Sequence, residues 1–208
     1  ENMSASKEIM TKAITLVRDS LEIIPFNNVL EDTVYIIDVK DYAADHDMTT
    51  VRSTLEYLLP HSESFVVDNT DNSQYYQSVV DTIPDSAKVI INVFSRIKMK
   101  KDRVTLPSIQ GEFIQAIHAK TNNLVVTSLG TPYLIDAFPT IPAYMVTFTA
   151  QRGMQRALAR AILGRADISG TLPISIPHVA LRGAGIQRKQ LPIATTKTRV
   201  VTSKKDRI

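Results

Sequence analysis

The chain has 208 residues, 44% of them hydrophobic and 22% charged, with a formal net charge of +3. That length suits one large domain, or one domain with an appendage, burying roughly 70% of the surface its unfolded chain would expose. It contains no Cys and no Trp, which excludes a disulfide framework, a thiol nucleophile and a thiolate metal site, and no apolar run approaches the ~20 residues of a membrane span.

In chain order, residues 4–19 place Ala5, Ile9, Ala13, Leu16 and Val17 at helical spacing. Ser4 or Ser6 offers a cap and Glu8 falls in the first turn, so the spacing predicts a helix. A short apolar run from Leu21 to Phe26 follows, interrupted by Pro25. Thr33 to Val39 is β-branched and almost continuously apolar, the pattern of a strand covered on both faces. Thr49 to Leu59 reads as a helix stopped by Pro60, and Ser64 to Asp68 as a strand. Asn72 or Ser73 opens a helix running through Val79 and Val80, closed by Pro84. Lys88 to Phe94 is the next buried strand, and the Arg96–Arg103 cluster reads as an exposed loop after it. Pro107 marks a helix start, with Ile109, Phe113, Ile114 and Ile117 as its apolar stripe through Lys120. Strands are predicted at Leu124–Thr127 and Tyr144–Thr149, and a helix from Gln151 to Leu163 ending at Gly164. Gly and Pro thicken from 164 to 192, where regular structure should thin out. Alternating strands and helices imply right-handed βαβ units. The expected fold is α/β, a three-layer α/β/α sandwich with a mostly parallel sheet of about five or six strands. Residues 1–186 would form it, with 187–208 as a basic tail or linker.

The charge is asymmetric. Residues 182–208 hold eight basic side chains (Arg182, Arg188, Lys189, Lys197, Arg199, Lys204, Lys205, Arg207) against Asp206. The remaining 16 basic and 20 acidic residues leave the body at −4. Basic tails bind nucleic acid or anionic surfaces, but no aromatic residue is interleaved here to stack on bases. A solvated linker accounts for it better, and no nucleic-acid partner is expected. No basic-then-apolar leader opens the chain, which starts at Glu1 as an excised domain would. The lack of Cys leaves the compartment open and is compatible with an exported bacterial parent.

Ligands of doubly wound sheets sit at strand C-termini, so those ends are where chemistry is sought. None of the seven glycines forms GxGxxG or GxxxxGK[ST]. Ser128-Leu129-Gly130-Thr131 follows a strand and its amides suit an anion, but one Gly and two hydroxyls are a weak signal, and an ordinary strand-to-helix turn, with Pro132 at the first helical position, explains it better. Of the four histidines, His46 lies between Asp45 and Asp47 before a helix, where acids complement the helix dipole. His61 follows Pro60 in a turn, His118 sits near a helix C-terminus, and His178 lies in a loop. None has a Ser or Cys partner in a triad-like motif, and no second cluster completes a metal site. Asp38, Asp68 and Asp136 lie at strand ends or helix faces, and Asp38 and Asp68 are the first acids to inspect. Gln155, Arg156 and Arg160 flank the last helix as interface or salt-bridge positions, structural rather than substrate-binding.

One stretch carries more information than these. Leu124 to Tyr133 (LVVTSLGTPY), Ala137-Phe138-Pro139, Tyr144 to Phe148, Gln155 to Gly164 (QRALARAILG) and Ile168 to Pro177 (ISGTLPISIP) together resemble the closing segment of the C-terminal α/β domain of glycoside hydrolase family 3, in its β-N-acetylhexosaminidase branch. Ala13 to Asp19 (AITLVRD), then Leu21 and Ile23-Ile24-Pro25-Phe26, look like that domain's first helix and strand. Arg182 to Ile186 (RGAGI) resemble its Gly-rich exit. The likeness spans residues 5 to 186 and is weak between 27 and 120.

The resemblance implies a two-domain parent, a retaining glycosidase whose N-terminal (β/α)8 barrel holds the nucleophilic Asp, the Asp–His acid/base dyad and the Lys-His-Phe-Pro-Gly-His-Gly-like substrate motif. None of these is present here, and Asp45-His46 is not the family's Asp-x-His because position 44 is Ala. In other branches the second domain donates a catalytic glutamate, and no residue of this chain maps onto it. The expectation is therefore a non-catalytic accessory domain: no catalytic residue, cofactor or metal of its own, and contact with carbohydrate only through the barrel. The other readings are a flavodoxin-like small-ligand module using Ser128-Leu129-Gly130, and an oligomerisation or linker domain.

Overall fold

The structure, a computed structural model, describes residues 8–27, 29–40, 49–94 and 106–192. Its centre is a six-stranded sheet in the order β1-β6-β5-β4-β2-β3. The strands are β1 (Thr15–Asp19), β2 (Val34–Lys40), β3 (Ser62–Asp68), β4 (Lys88–Phe94), β5 (Leu124–Leu129) and β6 (Ala143–Thr147). All pairings are parallel except β1 with β6. The helices are α1 (Thr49–Leu58), α2 (Ser73–Thr82), α3 (Ser108–Lys120) and α4 (Arg152–Ile162), with a 3-10 turn at Pro132–Ala137.

Topology follows from crossover handedness. From β2 the chain steps outward to β3 through α1, then returns past β2 to β4 through α2. Right-handed crossovers run in opposite directions place their helices on opposite faces. Accordingly α1 and α4 cover one face over Ile36, Ile90, Val125 and Met145, while α2 and α3 cover the other over Ile37, Ile91, Val126 and Tyr144. Each central strand is thus buried on both sides, which is why β2, β4 and β5 read as largely apolar runs without polar alternation. Burying one such side chain contributes about 1.5–3 kcal/mol.

Local chemistry sets the element ends. Asn72 caps α2 by accepting from the Tyr75 amide at 2.9 Å. Gly164 ends α4 at φ +66° and the Arg165 amide returns to the Arg160 carbonyl at 2.7 Å, the left-handed stop that glycine adopts at little cost. Residues 164–192 contain only isolated bridges, Leu16 to Ile186, Ile168 to Arg188 and Ile176 to Ala180.

One expectation is overturned. The helix predicted over 4–19 is confined, among the described residues, to 8–12, and the following residues form β1. Ile14, Thr15 and Leu16 are fully buried, and Thr15 lies opposite Val146 of β6. The β-branched Ile14-Thr15 and Val17 favour the sheet once β6 offers an edge. The strand of this region is therefore 15–19, not 21–26, where the chain is irregular around a cis Ile24–Pro25 bond. Ser4, Ser6, His46 with its flanking aspartates, the Arg96–Arg103 cluster and most of the basic tail lie outside the described residues.

Candidate functional site

The sheet reverses direction of growth at β2, with β3 on one side and β4 on the other, so the switch point lies between β2 and β4. Asp38 and Asn92 are register partners across that junction, and Asn92 pairs in turn with Thr127 of β5. All three point to the α1/α4 face, two residues beyond the core positions Ile36, Ile90 and Val125. Each is 0% exposed. Thr127 Oγ1 donates to Asn92 Oδ1 at 2.9 Å, and Asn92 Nδ2 donates to Asp38 Oδ1 at 2.9 Å.

The other carboxylate oxygen is less well served. Asp38 Oδ2 accepts no hydrogen bond; Arg52 Nε of α1 lies 3.7 Å away, an ion-pair contact too long for a hydrogen bond. Arg52 also lies 3.9 Å from Glu56, one turn on. Burial pushes the Asp38 carboxyl up to about 6, with the Asn92 hydrogen bond and then the charges of Arg52 and Lys40 pulling the other way. A carboxyl so placed takes and releases a proton near neutrality. Its side chain is completely enclosed, with the Arg52 guanidinium beside it.

Around this triad the packing is fixed by amides. Gln155 is buried on α4, and its Oε1 accepts from the Val51 amide of α1 at 2.9 Å while its Nε2 donates to the Ala150 carbonyl at 2.6 Å. The expected interface or ion-pair role for Gln155 is thus corrected: it joins α1 to α4 in the interior. Arg156 and Arg160 are exposed, Arg160 donating to the Arg165 carbonyl at 3.4 Å. On the opposite face Gln110 Nε2 donates to the Lys40 carbonyl at 2.8 Å, while its Oε1 has no partner.

The glycosyl hydrolase family 3 C-terminal domain model matches residues 10–206. The chain belongs to that family. Among curated protein sequences none matches it. Solved structures share the fold of this family 3 domain. A fungal multi-domain family 3 β-N-acetylglucosaminidase with a GCN5-related glucosamine N-acetyltransferase region aligns with TM-score 0.69 and 22% identity, over 88% of this chain and 20% of that one. A family 3 β-N-acetylglucosaminidase from Paenibacillus sp. str. FPU-7 aligns at 0.61 and 19%, over 81% and 31%. A β-glucosidase from Listeria innocua in complex with isofagomine aligns at 0.59 and 11%, over 81% and 26%. The chain spans between a fifth and a third of the length of these proteins.

Within this family 3 domain the remaining candidates are scattered. Asp68 closes β3, where its carboxylate accepts from the backbone and hydroxyl of Thr70; these bonds hold it below the usual carboxylate range. Asp136 is exposed on the 3-10 turn. Ser128 Oγ donates to the Thr131 carbonyl, the Gly130 amide to the Thr147 carbonyl at 2.8 Å, and Pro132 opens the 3-10 turn. That segment is the ordinary turn, with the Ser128 hydroxyl and the Gly130 amide spent on backbone carbonyls. His61 and His178 are exposed, and His118 lies 3.5 Å from the Thr140 hydroxyl in the last turn of α3. No group of three or more potential metal ligands is found among the described residues, and no described helix is long and apolar enough to cross a membrane.

Arg52, Asn92, Thr127 and Gln110 were not singled out by the sequence. Asn92 had a usable signal: a polar residue inside the apolar run Val89-Ile90-Ile91-Asn92-Val93 must find a buried partner.

Proposed function

We propose that this chain is the non-catalytic accessory domain of a two-domain family 3 glycosidase, packing against and supporting an N-terminal (β/α)8 barrel that contacts the carbohydrate. The observation that carries the reading is the family match over residues 10–206. The enclosure of Asp38, the one strongly perturbed acid at the switch point, is in keeping with it. The finer reading is a parent of the retaining β-N-acetylhexosaminidase branch. It rests on the motifs at 124–133 and 168–177, and two β-N-acetylglucosaminidases among the structural relatives agree with it. The segment 187–208 serves as a connector, anchored at its start by Arg188.

The test is an assay of the purified chain and of the parent. The chain alone should release no nitrophenol from p-nitrophenyl N-acetyl-β-glucosaminide above background. The parent should hydrolyse that substrate in preference to the β-glucoside, with retained anomeric configuration. Turnover by the chain alone, lost on substituting one of its own residues, rejects the accessory role; preference for the glucoside rejects the branch.

A further inference from the structure

The polar triad ends on an ion pair with a choice of partners. Arg52 has Asp38 Oδ2 at 3.7 Å on one side and the Glu56 carboxylate at 3.9 Å on the other, the Glu56 side chain being far more exposed. Neither distance is a hydrogen bond, so the guanidinium sits between two carboxylates and is held firmly by neither. Asp38 is fully enclosed; Asn92 serves one carboxylate oxygen, and for the other, which has no hydrogen-bond donor, Arg52 is the nearby cation. Once Asp38 gains a proton that attraction vanishes, and the carboxylate that remains within reach of Arg52 is that of Glu56, 3.9 Å away at the helix surface.

We propose that Arg52 is a proton-controlled tether between α1 and β2: it pairs with Asp38 when that acid is ionised and swings to Glu56 when Asp38 is protonated. The inference concerns this domain alone and stands apart from its place in any parent enzyme. The charged groups acting on Asp38 among the described residues are Arg52 and Glu56 of α1 and Lys40 of its own strand. The neighbouring strands supply the neutral Asn92 and Thr127, and α4 the neutral Gln155, which holds the Val51 amide beside Arg52.

Nitrogen-15 NMR of the full chain between pH 4.5 and 8 tests this by following the Arg52 Nε–H and Asn92 side-chain amide signals. In the wild type both signals should move with one shared midpoint near pH 6. Both movements should disappear in Asp38→Asn. In Glu56→Gln the titration should persist with a lower midpoint, since that carboxylate disfavours the charge on Asp38. In Arg52→Gln the Asn92 signal should titrate at a higher pH, because the stabilising cation is gone. An Arg52 signal that stays flat over this range in the wild type, or moves equally in Asp38→Asn, overturns the proposal. Should Asp38→Asn fail to fold, the carbon-13 signal of the Asp38 carboxyl in the wild type decides: a midpoint matching that of Arg52 supports the tether, and a different one rejects it.

Discussion

Asp38 places an acid in the middle of an apolar strand, and three neighbours offset part of the cost of burying it. Its carboxyl titrates near 6 in the folded chain against an ordinary value of 3.8. The folded state therefore holds this proton more tightly than the unfolded state. The group's contribution to stability is fully present below about pH 4 and is lost as pH rises through about 6. The difference is worth up to about 3 kcal/mol. Asp38→Asn preserves the acceptor for Asn92 and mimics the protonated acid, so it should raise the urea midpoint at pH 7.5 and flatten the pH dependence between 4.5 and 7. A variant less stable than the wild type at pH 7.5 would show that the ionised pair stabilises the fold. Gly170 illustrates a different constraint. A Cβ there would collide with the Ile14 carbonyl and the Thr15 hydroxyl, and the Ile14 backbone cannot yield without moving the chain that enters β1. Gly170→Ala should cost about 1–3 kcal/mol in thermal unfolding.

At the scale of elements, two cross-ties hold what the sheet alone does not. The first is Gln155, which satisfies the Val51 amide in the first turn of α1 from a different helix. Gln155→Leu leaves a buried donor unpaired, at a cost of about 1–3 kcal/mol. Exchange of the Val51 amide should rise in this variant more than that of the β4 amides. The second is Arg188, whose Nη2 lies 2.8 Å from Asp19 Oδ2 and whose Nε donates to the Ile24 carbonyl at 3.0 Å. Asp19 also accepts from the Ile23 amide at 2.9 Å and its side chain is fully buried. Arg188→Met strands that carboxylate and should cost about 3 kcal/mol. Limited proteolysis should then cut within 164–192 while the six strands stay protected, since that segment pairs with a strand of the sheet through a single isolated bridge, Leu16 to Ile186. Equal protection in wild type and variant would show that Arg188 is not the tie. The strands β2, β4 and β5 were legible at this scale because a strand buried on both faces has no polar alternation to confuse with a helix. β1 was not, because Ala13 to Asp19 fits a helical stripe as well as a strand, and only the edge of β6 decides between them.

For the whole molecule, the order of strands, the switch point and the convergence of polar groups are properties of contact rather than of local pattern. Asp38 was marked as an acid worth inspecting, yet its partners lie 54 residues away at Asn92 and a further 35 at Thr127. No local spacing announces such a triad. The amino-acid sequence by itself determined the α/β class, most element positions and the family resemblance, because periodicity, caps and motifs are local and survive in a linear reading. The tertiary structure alone decided that β1 is an antiparallel edge strand, that Gln155 is an interior tie, and that Asp38 is enclosed beneath Arg52, because each depends on which distant surface arrives to exclude water.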